Sequence, residues 1–218
     1  MAETARALTD LERQLLIASR KPATSWPARF IFAPVEEPIA GLLLSRAMEP
    51  QWIAALGAGL AAIAAPLAAM GWFWAALLAL LLSGPVAAVA GRLAAVRLAS
   101  IRRQALLGMI RTIGATATLL LFVDPLAAQE GWGWWSIAAL LIAAMAALSI
   151  ERRIAARLTG LAEPLWLPSL DGMIWGFVPF ALAGYWPAGV AALTGYAILS
   201  FAWVQRRAWR TVNGLVSP

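Results

Sequence analysis

Six stretches of this chain are apolar almost without interruption, at roughly 51–70, 72–97, 105–123, 132–150, 168–185 and 187–205. Each is close to the ~18 or more residues that a helix needs to cross about 30 Å of hydrocarbon. The intervening positions are short, polar and dominated by arginine. The pattern predicts an all-α integral membrane protein with six transmembrane helices. Ser83, Gly84 and Pro85 fall near the middle of the second stretch, which predicts a kink or local unwinding, since proline supplies no amide to the helix. Connectors as short as 70–72 and 184–188 predict antiparallel neighbours.

Ahead of the first span the periodicity changes. Leu8, Leu11, Leu15 and Ala18 share one helical face, with Arg6, Arg13 and Arg20 recurring every seven residues beside them. Thr9 or Asp10 is the expected cap. Without an apolar h-region this is not a secretory signal; a helix lying flat in the headgroup layer and an amphipathic helix packed on the protein both fit. Residues 26–47, interrupted by Pro27, Pro34 and Pro38 and carrying Glu36 and Glu37, predict a juxtamembrane elbow rather than a seventh span. The expected organisation is a cytoplasmic amphipathic helix and elbow over 1–48, a six-helix membrane domain over 49–210, and a short tail over 211–218.

Charge orients this scheme. All 17 basic residues fall on one side of the six-span arrangement, while the opposite loops hold only Asp124 and Glu130. The excess of cations marks the cytoplasmic side, so both termini are expected there, in a cell (inner) membrane. Tryptophans 52, 72, 74, 132, 134, 135, 166, 186 and 209 mark interfacial levels. A chain 62% hydrophobic and 13% charged lies outside the soluble range. With no Cys and no His, thiolate or imidazole metal sites and Ser-His or Cys-His nucleophiles are excluded. The net charge of +6 suits anionic headgroups better than nucleic acid, because the cations sit at the ends of apolar segments.

The stretch AAVAGRLAA, residues 87–95, carries the functional question. With six spans placed, the order of features resembles the CDP-alcohol phosphatidyltransferase family, in particular its inositol-phosphate-using members. That family carries D-x2-D-G-x2-A-R-x8-G-x3-D-x3-D from the second span into the third. Laid on this chain, the first two aspartates fall on Ala87 and Ala90, the glycine on Gly91 and the alanine on Ala94. The arginine falls on Ala95, the second glycine on Gln104, and the last two aspartates on Gly108 and Thr112. Gly91 and Ala94 alone keep the family residue. The surroundings carry the likeness further: Arg20-Lys21-Pro22, Arg29 and Pro34 in the elbow, Pro50-Gln51 before the first span, and Ser100 with Arg102 and Arg103 in the loop. The resemblance covers about 19–210.

It implies a protein of phospholipid or phosphodiester synthesis, in which a hydroxyl attacks a CDP-alcohol and releases CMP. In the family, carboxylates on the two helices hold Mg²⁺ or Mn²⁺, and one of them takes the hydroxyl proton. Two methyl groups, a hydrogen and a hydroxyl cannot replace that charge, so a catalytically silent member is expected, with no catalytic residue and no metal site. Such a protein would bind anionic or CDP-activated lipid, pair with itself, or associate with an active transferase. Lys21, Arg29, Arg92, Arg102, Arg103, Arg111 and Thr112 are the candidate phosphate contacts, since guanidinium holds phosphate without a metal; for several of them simple sidedness is an equal reading. Arg111, about two turns into the third span, predicts a pocket shared with Thr112, because an intramembrane charge is costly elsewhere. Small residues at 87, 90, 91, 94, 95, 108 and 112 predict close packing of the second and third spans.

Two alternatives stay open. One is active headgroup transfer through a remodelled site, with Asp171 as substitute acid and Glu36, Glu37 and Glu163 behind it, although an ordinary helix cap also explains Asp171. The other, less favoured because the later spans carry few polar groups, is a small transporter or flippase component; Thr194, Tyr196 and Ser200 in the sixth span are more economically read as contacts between helices.

Overall fold

A computed structural model describes Gln14 and residues 25–46, 48–97, 100–123, 133–159 and 168–216. Among the described residues there are seven α-helices and no strand. A π-helical turn, Ala28–Phe32, runs directly into α1 (Ala33–Ser45), followed by α2 (Pro50–Ala69), α3 (Phe73–Val96), α4 (Ile101–Leu121), α5 (Gly133–Thr159), α6 (Leu170–Leu182) and α7 (Trp186–Val216). Four segments are long and apolar enough to cross a membrane: Pro50–Ala69, Phe73–Val96, Arg102–Leu121 and Trp186–Arg206. This is compatible with a multi-pass membrane protein. The fifth predicted span is shorter than expected, because α6 has 13 residues, or about 20 Å of rise. The chain forms two compact units, Met1–Thr118 and Leu119–Pro218.

Two connectors are built alike. At Gly71 and Gly184 the backbone turns left-handed, with φ of 79° and 76°, a conformation that costs glycine nothing. The Gly71 amide donates to the Ala68 carbonyl and the Trp72 amide to Leu67, both at 2.9 Å; Gly184 and Tyr185 repeat the pattern with Ala181 and Phe180 at 3.0 and 2.8 Å. Each turn so satisfies the carbonyls left over where α2 and α6 end. The elbow differs from expectation. Helix runs through it from Ala28 to Ser45, with Pro34 near the join between the π-turn and α1 and Pro38 inside α1. Likewise α3 stays helical through Ser83, Gly84 and Pro85, so the predicted local unwinding is absent.

In the first unit α2 presents alanines to α3, and Gly57 lets the backbones approach: a Cβ there would stand 3.3 Å from the Ala87 nitrogen and the Ser83 carbonyl oxygen. Gly114 of α4 sits still closer to α2, where a Cβ would meet the Ala61 oxygen at 2.5 Å. α1 packs on α3, and Ala40, Leu44, Ile53, Ala54, Val89, Ala90, Leu93 and Val96 form a shared apolar core, with Leu107 against it. In the second unit α7 packs on α5 and α6. Phe122 stacks on Phe177 at 4.9 Å and meets Trp186 edge-on at 5.1 Å.

Candidate functional site

On α3 the resembled motif runs into the core. Ala90 is 1% exposed within the apolar cluster of α1, α2 and α3, and Ala87 and Ala94 are half-buried. Gly91 and Ala95, on the same helix, are exposed. On α4 the remaining positions lie open: Gly108 and Thr112 are exposed, and a Cβ added to Gly108 would meet nothing within 4 Å. The Thr112 hydroxyl donates to the Gly108 carbonyl at 2.9 Å, one helical turn back, so these two positions satisfy each other. Close backbone approaches involve the first span instead, at Gly57 against α3 and at Gly114 of α4 against α2. The residues at 87, 90, 108 and 112 do not fit a divalent cation: none brings a carboxylate, and Ala90 is sealed in hydrocarbon.

The arginines separate by partner. Arg92, 7% exposed, reaches from α3 to α1, with Nε 3.7 Å from a Glu36 carboxylate oxygen and Nη1 4.0 Å from Glu37. A guanidinium removed from water requires such neutralisation, and the doublet provides it. Arg92 so leaves the basic rim expected from the sequence, and both elbow acids considered as substitute carboxylates face it. Arg97 donates to the Met48 carbonyl at 2.8 Å and to Leu44 at 3.4 Å, reaching carbonyls at and just beyond the end of α1, where a cation also suits the helix dipole. Arg103 donates to Gln51 Oε1 at 2.7 Å, and the Gln51 amide donates in turn to Glu49.

Arg111 lies about 15 Å along α4 from Ile101. Its Nε donates to Ser83 Oγ at 3.3 Å, and the Ser83 hydroxyl donates to the Leu80 carbonyl at 2.7 Å. Arg111 and Thr112 are thus not brought into one pocket. Adjacent on the helix and about 100° apart around it, they point to different surroundings, Arg111 toward α3 and Thr112 outward. Sequence reasoning assigned Ser83 only to the proline break. Its pairing with Arg111 could have been sought as the nearest hydroxyl at comparable depth.

Arg29 is exposed, with its guanidinium carbon 5.6 Å from the centre of the Phe30 ring. Arg102 is exposed in the first turn of α4. Lys21, the helix predicted over 1–20, Asp124, Glu130 and Glu163 lie outside the described residues. In α6 the cap is Ser169, whose hydroxyl accepts from the Gly172 amide at 3.0 Å; Asp171 follows in the first turn, where its charge complements the helix dipole. Thr194 donates to Val190 at 2.8 Å and approaches the Ile137 carbonyl at 3.5 Å, bridging α7 to α5. Ser200 is buried, and its hydroxyl has no hydrogen-bond partner among the described residues. No protein-family model matches the chain, and no curated protein matches it.

Proposed function

We propose that this chain is a catalytically silent membrane protein of the CDP-alcohol phosphatidyltransferase type, with six spans and cytoplasmic termini, that acts by holding anionic lipid. Association with an active transferase is the route by which it would enter phospholipid or phosphodiester synthesis. The resemblance in feature order motivates the family. One observation carries the loss of chemistry: the Ala90 methyl stands in an apolar core where the family places a metal-binding carboxylate. An aspartate there would have to desolvate its charge among Leu44, Leu93 and Ile53. The remaining cations supply what lipid binding needs. Arg29, Arg102 and Arg103 are exposed, and guanidinium binds phosphate by charge-assisted hydrogen bonds.

The test uses the full chain in lipid nanodiscs with a CDP-activated diacylglycerol, a panel of acceptor alcohols including inositol phosphate, and Mg²⁺ or Mn²⁺. Expected is no CMP release above empty discs, together with selective retention of anionic phospholipid on extraction. Metal-dependent CMP release by the purified chain would overturn the silent reading.

A further inference from the structure

We propose that the outer face of α4 docks one anionic phospholipid, with its phosphate on Arg102 and one acyl chain along Leu106, Met109 and Ile113. The inference rests on the lipid-binding reading above and gives it a place. Positions 102, 106, 109 and 113 follow the i, i+4, i+7, i+11 spacing that puts residues on one helical stripe. All four are exposed, the apolar ones at 58%, 61% and 63%. From Arg102 to Ile113 the stripe rises about 16 Å, close to the half-thickness of a bilayer core of about 30 Å. One leaflet's acyl chain therefore matches it end to end.

Charge selects the lipid. Helix α4 carries Arg102, Arg103 and Arg111 and no acid, and two of those cations occupy its first turn, where the helix dipole already favours negative charge. Arg97 and Arg103 are tied to neighbouring elements, whereas Arg102 has no hydrogen bond or ion pair with another described residue. A phosphodiester at that level would neutralise both the guanidinium and the helix end. A zwitterionic headgroup brings its own ammonium and gains less.

The level is marked independently. Arg103 is bonded to Gln51, and the adjacent Trp52 is 66% exposed, the placement of an interfacial anchor.

The experiment is native mass spectrometry of the full chain after exchange with equal amounts of phosphatidylglycerol and phosphatidylcholine of identical chains. One phosphatidylglycerol is expected to be retained over phosphatidylcholine by about tenfold, the size of one charge-assisted contact. Arg102→Gln should remove most of that preference. Met109→Asn should lower retention of both lipids by interrupting the apolar stripe, and Arg206→Gln, on α7, should change nothing. Thermal melts matching the wild type confirm that the variants fold. Retention unaffected by both Arg102→Gln and Met109→Asn overturns the site. If the preference instead disappears with Arg29→Gln, lipid binding stands and this location fails. Equal retention of the two lipids sinks both the location and the broader reading. A protein dimer abolished by Met109→Asn would identify a second copy, not lipid, as the occupant.

Discussion

Ala90 and Gly108 occupy related steps of one resembled motif and lie in opposite surroundings. Around Ala90 the first unit is closed: α1 covers α3, the core is apolar, and Arg92 is matched by the two glutamates. Around Gly108 the surface is open, and the nearest polar group is committed to its own helix. Two positions where the resembled motif would carry carboxylates thus lie in a packed interior on one helix and on an accessible face of another.

The sharpest way to break this contrast is to place one charge in both settings. Ala90→Asp should cost about 3 kcal/mol, the penalty of a carboxylate within a membrane helix, measured by thermal or denaturant unfolding in micelles. Gly108→Asp, exposed, should cost far less. Similar losses at the two positions would show that the regions do not differ.

Arg92→Leu should cost about 2 kcal/mol, because it removes the buried cation that faces Glu36 and Glu37. Adding Glu36→Leu and Glu37→Leu should recover part of that loss, and failure to recover any would mean that the ion pair does not hold α1. Next, Gly114→Ala should cost about 1.5 kcal/mol by forcing a methyl against the Ala61 backbone. Gly108→Ala should gain up to about 1 kcal/mol from helix propensity alone. The smallest loss is expected from Arg97→Gln, about 1 kcal/mol for a helix-end contact, detected as faster proteolysis near residues 46–49.

Much of the helical plan is legible in hydropathy, because each buried or lipid-facing segment must be apolar along its length. The two tight connectors were readable from the brevity of the breaks between apolar stretches, but the left-handed backbone at Gly71 and Gly184 was not. Helix ends were less accessible. Asp171 and Ser169 are both good capping residues, and only the backbone bond from Gly172 decides between them. The elbow misled because three prolines suggest a break, yet the helix accommodates Pro34 and Pro38 without one. Partners were the least legible. Between residues 33 and 118 the only acids are Glu36, Glu37 and Glu49, which narrows the counter-ions available to Arg92, but hydropathy and spacing do not say which helix crosses which. The motif alignment identified Ala90 and Gly108 without distinguishing buried from open, because alanine and glycine suit both.

The bonds of Arg97 to Leu44 and Met48 span 53 and 49 residues, and Arg92 reaches back as far to Glu36. During synthesis α1 therefore leaves the ribosome before either arginine exists to receive it. Its clasp arrives only once the hairpin of α2 and α3 has been made, so a nascent chain stalled before residue 92 would leave α1 undocked, susceptible to a protease that the finished protein resists.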